Sequence, residues 1–244
     1  IYILEVNPRA SRTAPFVSKA TGVPLPRLAT QIMLGKTLKE LDPWSMRKTG
    51  YVCVKEAVFP FKRFPGVDIL LGPEMRSTGE VMGVARTFDE AFLKSQLGAG
   101  QTLPSSGKVF ISVNDRDKEF VVPIAKSYAD LGFELLATRG TATLLNDSGL
   151  KVQPVLKVHE GRPNIVDMIK NGEVAMVINT ASGKRTTHDS RAIRQTTLHY
   201  GVPFTTTISG ARAIARAIQH QQNEALQVEC LQASYAGSPK GERA

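Results

Sequence analysis

KVFISV at 108–113, FELLA at 133–137, VQPVL at 152–156, VAMVINT at 174–180 and VPFTT at 202–206 are five short apolar runs within Lys108–Thr207. Segments with helical periodicity separate them at 120–131, 141–147, 164–171 and 189–200, and another follows at 209–220. Strand and helix in regular alternation predict an α/β layer fold with a mainly parallel sheet. Nearly continuous apolar runs suit strands covered on both faces. The runs empty into loops of a second kind: NDRDK, TRGT, KVHEGRPN and SGK. In an open parallel sheet such loops share the carboxyl edge, so their side chains converge. Lys118, Thr138, Gly140, Thr141, Lys157, Asn179, Thr180, Ser182, Gly183 and Lys184 are expected there, with Arg139 adding charge. Free amides at a helix start, hydroxyls and ammonium groups together suit a phosphate. Thr138 and Thr141 are equally suited to capping a helix, and the two roles are compatible. A nucleoside monophosphate fits this set, its phosphate at Thr138–Thr141 and its ribose or base near Lys157 and Asn179.

Working outward, 244 residues suit one large domain or two modest ones. Lys and Arg number 31 against 22 Asp and Glu, a formal charge of +9 that favours anionic partners. The basic residues form neither a tail nor a block, so phosphorylated metabolites are expected rather than nucleic acid. Cys53 and Cys230 lie far apart and form no metal or redox motif, which fits a reducing, cytoplasmic setting. No apolar run approaches the ~20 residues of a membrane span. The chain opens at Ile1 inside the apolar run IYILEV, which reads as a piece of something longer; an ordered edge strand is the alternative.

Before Lys108 the pattern differs. Residues 1–7 read as a strand and 8–13 as a turn. Pro15–Lys19 starts a helix, and a short amphipathic helix headed by Pro24 and Pro26 ends at Gly35. Residues 41–50 form a polar connection holding Trp44. Residues 51–61 are strand-like and 64–83 turn-rich, with a helix at 88–97. Gly, Ser and Pro mark 98–107 as a linker. The expected division is 1–100, a linker at 101–107, a domain at 108–233 and a frayed tail at 234–244.

In EVNPRASR, Glu5 and Asn7 share one face of the expected strand, because side chains alternate. A carboxylate beside an amide oxygen suits Mg²⁺ shared with phosphates, and Arg9 and Arg12 stand close enough to meet the same phosphoryl oxygens. A Glu5–arginine pair at a strand end is the plainer alternative. The span EVNPRASRTAPFVSKATGVPLPRLATQIMLGKTL, with VKEAVFPF and FPGVDILLGPEMRSTGEVMG, closely resembles the carbamoyl phosphate synthase large-chain family. That resemblance covers nearly the whole chain. It implies the end of the second ATP-grasp half followed by an allosteric domain with the methylglyoxal-synthase fold.

The resemblance also implies roles. Glu5 and Asn7 are expected to ligate the Mg²⁺ or Mn²⁺ bound with the second ATP, and Arg9 and Arg12 to serve its transferred phosphate, at the site that phosphorylates carbamate. The missing N-terminal part and a glutaminase small chain are the expected partners. A homo-oligomer of that heterodimer is compatible with it, and no activity is expected of this chain alone. Lys118, Thr138, Thr141, Lys157 and Asn179 match the pocket for UMP or IMP effectors. Ala181 stands where the better-known enterobacterial form has a threonine, Lys184 where it has arginine and Arg139 where it has histidine. Glu56 and Thr206 match positions that hold ornithine, but Phe204 replaces a tyrosine and puts ornithine activation in doubt. The GPEMRSTGE loop is expected to support the interface between the two parts.

Two other readings compete. A methylglyoxal synthase-like lyase needs a carboxylate base beside the phosphate. The paired glycines and following aspartate of that enzyme are missing from HEGRPN, leaving Glu160, Asp167 and His159 as displaced candidates. A stand-alone nucleotide-binding module is the other.

Overall fold

The structure, a computed structural model, describes residues 3, 6, 9, 11, 13–46, 50–59, 79–180 and 184–230, with backbone alone over 184–189. Three helices come first: α1 (Thr13–Thr21), α2 (Leu25–Met33) and α3 (Leu38–Leu41). α2 begins with Pro at its first turn, and the chain leaves it through Gly35 at φ +97°, a conformation that costs glycine little. Thr37 and Glu40 close a capping box on α3, a short helix just ahead of the stretch expected as a polar connection. Strands β1 (Val52–Val58) and β2 (Gly79–Ala85) pair antiparallel, and α4 (Phe88–Gly98) packs on the ribbon they form.

The rest is β3 (Lys108–Val113), α5 (Lys118–Asp130), β4 (Glu134–Thr138), α6 (Arg139–Asp147), β5 (Val152–Val155), α7 (Ile165–Lys170), β6 (Met176–Thr180), α8 (Lys184–Tyr200), β7 (Phe204–Thr205) and α9 (Ile208–Asn223). The five strands of this part are all parallel, in the order β5-β4-β3-β6-β7. The period-2 geometry of a strand sorts their residues onto two cores. Val109 and Ile111 of β3, Leu135 and Ala137 of β4, and Met176 and Ile178 of β6 face one core, shared with α4, α5, α6 and α9. Phe110, Leu136 and Val177 face the other, shared with α7 and α8. The chain runs outward from β3 through β4 to β5, then returns to β6 on the far side of β3. Loops therefore part in opposite directions between β3 and β6, the place where open α/β sheets hold ligands at their carboxyl edge.

Several expectations need correction. Residues 79–83, expected within a turn-rich stretch, belong to strand β2. Glycine at Gly79 and Gly83 hides the strand pattern, and Gly83 has a packing reason: a Cβ there would fall onto the Ala91 carbonyl oxygen and within 2.7 Å of the Ser95 amide nitrogen. The linker segment after α4 is packed against the sheet domain. Leu103 is buried among Leu93, Val109 and Ile218, and Gln221 and Gln222 of α9 donate to the Leu103 and Ser105 carbonyls at 3.4 and 3.0 Å. α8 starts at Lys184, earlier than expected, so Lys184 opens a helix instead of ending a loop. Arg216 of α9 meets α4. Its guanidinium grips Asp89 at 2.8 and 3.2 Å and lies 5.6 Å from the centre of the Phe88 ring. The expected strand at 1–7 and tail at 234–244 fall largely or wholly outside the described residues.

Candidate functional site

At the carboxyl edge of the sheet, a cleft of about 350 Å³ is lined by Val113 at the end of β3, Asn114, Asp115, Arg116 and Lys118 after it, Thr138, Gly140 and Thr141 where β4 passes into α6, and Lys157 after β5. The loop after β3 is shaped by Asn114. Its side-chain oxygen accepts from the Arg116 and Asp117 amides at 2.9 and 3.2 Å. Its Nδ2 donates to Asp117 Oδ2 at 2.7 Å and to the Thr180 carbonyl at 2.9 Å. This Asx turn ties the loop to the end of β6 and delivers the chain straight into α5, whose first residue is Lys118.

The Lys118 ammonium lies 2.7 Å from Asp115 Oδ1 and 3.9 Å from where a Cβ on Gly140 would sit. It therefore stands over the first turn of α6, the positive end of a nine-residue helix. Thr138 holds the N-cap position in extended backbone but caps nothing; its hydroxyl is 3.4 Å from Thr141 Oγ1. The capping role allowed from sequence is thus not taken up by Thr138. Backbone donors of the first turn, two hydroxyls and an ammonium face one small space. Two positive groups so placed repel each other unless an anion lies between them, and a phosphate matches the donor set. The Asp115 carboxyl is held below its usual range by its hydrogen bond to Lys118, then by the Lys118 and Lys157 charges.

The candidates for a lyase base lie elsewhere. Glu160 accepts the Lys157 amide at 2.9 Å, and that bond, with the Arg139, Lys157 and His159 charges, keeps its carboxyl low. Asp167 closes a capping box on Asn164 at the start of α7, accepting its amide at 3.0 Å. Asp115 is the one carboxylate among the described lining residues, and it is paired with an ammonium. Asn114, Asp115 and Arg116 are lining residues that sequence reasoning missed; the signal was the Asx-turn pattern in NDRD.

The other expected site residues are placed as follows. Asn179 is 3% exposed and lies under α8, where its Oδ1 accepts from Ser190 Oγ at 3.4 Å. Thr206 follows β7, half-buried, and does not line the cleft. Glu5, Asn7 and Arg12, with Ala181, Ser182 and Gly183, lie outside the described residues; Arg9 is exposed. Among the described residues no group of three His, Cys, Asp or Glu side chains is arranged to hold a metal, and no helix is long and apolar enough to cross a membrane.

Glu56 on β1 is tied to α4. Its Oε2 accepts from Ser95 Oγ at 2.7 Å and its Oε1 from Gln96 Nε2 at 2.6 Å. Lys55 points the other way, as alternation along a strand requires, and pairs with Glu80 at 3.0 Å. Burial raises the Glu56 carboxyl above its usual value, against the lowering by Ser95 and Gln96. A carboxyl raised in the folded state contributes stability below its unfolded value and loses it as pH rises through the folded value. Glu56→Gln is therefore expected to gain in Tm relative to the parent as pH climbs from about 4 toward neutrality. Melting curves across that range check it, and parallel curves for the two proteins would refute the assignment.

Comparison with known proteins agrees with this architecture. Residues 120–206 match the family model of the MGS-like domain, and residues 1–41 match that of the carbamoyl-phosphate synthase L chain, ATP binding domain. The chain is 54% identical over 232 residues to the carbamoyl phosphate synthase large chain of Nostoc sp., covering 95% of this chain and 21% of that one. The Pasteurella multocida large chain is 57% identical over 221 residues, covering 90% and 21%, and that of Myxococcus xanthus is 53% identical over 246 residues, covering 100% and 23%. Among solved structures, the chain titled "Crystal structure of ForH" aligns with a TM-score of 0.30 at 16% identity, over 55% of this chain and 97% of that one, too weak a likeness to bear on the fold. An MGS-like domain preceded by the end of that ATP-binding domain, at more than half identity over nearly all its length, places this chain in the carbamoyl phosphate synthase large-chain family, of whose curated members it spans about a fifth.

Proposed function

We propose that this chain is the effector-binding end of a carbamoyl phosphate synthase large chain, with the cleft beside α6 as its nucleotide site. The observation that carries this is the uncapped first turn of α6 facing the Lys118 ammonium, beside Thr138, Thr141 and Lys157. UMP or IMP is the ligand, its phosphate at the start of α6. The whole enzyme is a ligase that makes carbamoyl phosphate from bicarbonate, ammonia and ATP in the cytoplasm, with a glutaminase small chain supplying the ammonia. Glu5 and Asn7 provide oxygen ligands for Mg²⁺ or Mn²⁺ held with ATP, Arg9 and Arg12 meet the transferred phosphate, and the chain by itself makes no carbamoyl phosphate. Residues 1–100 belong to the ATP-grasp part and 108–233 to the effector domain. Ornithine is a doubtful effector here: Glu56 and Thr206 are retained, but Ser95 and Gln96 each already donate to Glu56, and Phe204 offers no hydroxyl.

Calorimetric titration of the chain with UMP and with IMP tests this. Binding of at least one is expected, weakened about tenfold or more in Thr141→Ala, since a buried hydroxyl that meets phosphate contributes a full hydrogen bond. Absence of binding to either nucleotide at millimolar concentration, with the sample folded, would overturn the proposal.

A further inference from the structure

A strand ribbon has two faces, and each apolar face has to be covered or left in water. On the β1–β2 ribbon one face belongs to α4. A Cβ on Gly83 would strike Ala91, and one on Gly98 would lie 3.4 Å from Val81. Alternation puts Met82 and Val84 on the other face, in register with Lys55 and Cys53 of β1. α1 covers the β1 half of that face. Lys55 Nζ is 3.3 Å from Thr13 Oγ1 and 5.9 Å from the centre of the Phe16 ring, and Cys53 Sγ reaches the Ala20 carbonyl at 3.9 Å. The β2 half is covered differently. Met82 and Val84, with Lys94, line an opening of about 300 Å³ whose other wall is the chain at 226–229, beyond α9.

That segment is shaped to fill the opening. α9 ends at Asn223, and Glu224 leaves it in extended backbone at φ −135° and ψ 144°. Continued so, Leu226 and Val228 fall on one side, two residues apart like Met82 and Val84. Both are left in water, Leu226 at 41% exposed and Val228 at 89%. Closing the opening would take apolar area from all four side chains out of water. Lys94 decides how the segment seats. Its ammonium takes the Val84 carbonyl at 3.1 Å while pairing with Glu90 at 2.8 Å. An edge acceptor already taken by a lysine is not offered to a third strand, so the segment seats by its side chains.

We propose that residues 225–229 are a strap that closes over β2, seating Leu226 and Val228 on Met82 and Val84. The strap continues α9, which is anchored in the core of the five-stranded sheet through Ala211, Ile214 and Ile218. Its closure ties the ribbon to that sheet by a second route, beside the Asp89–Arg216 pair. Opening it uncovers the ribbon face and leaves both cores of the sheet intact, so the strap acts as a latch between the two parts of the chain.

Thermal melts of the parent, Met82→Ala, the tail variant Leu226→Ser/Val228→Ser and all three substitutions together test this, each checked for fold by circular dichroism. The tail variant is expected to melt about 4 °C or more below the parent, although both of its positions are exposed. Met82→Ala should lower the melting temperature less in the tail variant than in the parent, because side chains that meet give non-additive losses. Cleavage by chymotrypsin after Leu226 should be several-fold faster in Met82→Ala than in the parent, since cutting tracks the population with the strap open. An unchanged melting temperature in the tail variant, additive losses in the combined variant, or equal cleavage of the parent and Met82→Ala would each overturn the strap.

Discussion

Lys118→Ala is expected to weaken nucleotide binding about 10- to 100-fold while leaving the melting temperature nearly unchanged. A charge-assisted hydrogen bond to phosphate is worth about 1.5–3 kcal/mol. The ammonium is aimed at the first turn of α6, where a phosphate would also take backbone donors. Its existing partner, Asp115, is 93% exposed, and such surface pairs contribute about 0–1 kcal/mol, so folding should hardly register the loss. The parent should also lose affinity more steeply than the variant as salt is raised, because in the variant one fewer cation meets the ligand. Calorimetry at two ionic strengths, beside a thermal melt, gives both readouts. Unchanged affinity in Lys118→Ala would show that the phosphate is held elsewhere.

The largest stability effect is expected at Gly83. Adding one methyl there drives it into the backbone of α4 at Ala91 and Ser95, and no side-chain rotation relieves a clash with backbone atoms. Overpacking costs about 1–3 kcal/mol, and the close fit to a helix backbone puts Gly83→Ala at or above the top of that range. Gly79, in the same strand, has nothing within 4 Å of where a Cβ would sit, so Gly79→Ala is the control and should be neutral or mildly stabilising. Denaturant melts of the two variants decide the matter; equal midpoints would mean that β2 does not rest on α4 as described. The consequence should extend beyond the ribbon. α4 is held on one side by Glu56 through Ser95 and Gln96, and on the other by Arg216 of α9 through Asp89. Loosening β2 from α4 therefore disturbs a helix that also contributes Leu93 to the core of the sheet.

Much of this was legible from residue order. The five parallel strands were placed within two residues or so, because runs such as VAMVIN are apolar on both faces and only a doubly covered strand needs that. Lys118, Thr138, Thr141 and Lys157 were brought together by topology alone, since each follows a strand of one parallel sheet. β2 was not legible, because Gly79 and Gly83 break its pattern and the reason for Gly83 lies in α4, some ten residues further along the chain. The packed state of 101–107 was hidden for a similar reason: Leu103 is a single apolar residue among Gly, Ser and Pro, and its burial depends on α4 and α9 closing over it.

The sequence by itself determined the layer architecture, the edge on which the loops meet and the family, because periodicity, strand-end composition and long motifs are properties of residue order. Only the tertiary structure decided which hydrogen bonds those residues make. It left the α6 amides without a Thr138 cap, turned Glu56 toward Ser95 and Gln96, and set Ser190 against one end of the Asn179 carboxamide while leaving the other bare. These partners come from elements 11 to 40 residues apart, and a hydrogen bond depends on distance and direction in space, which spacing along the chain does not record.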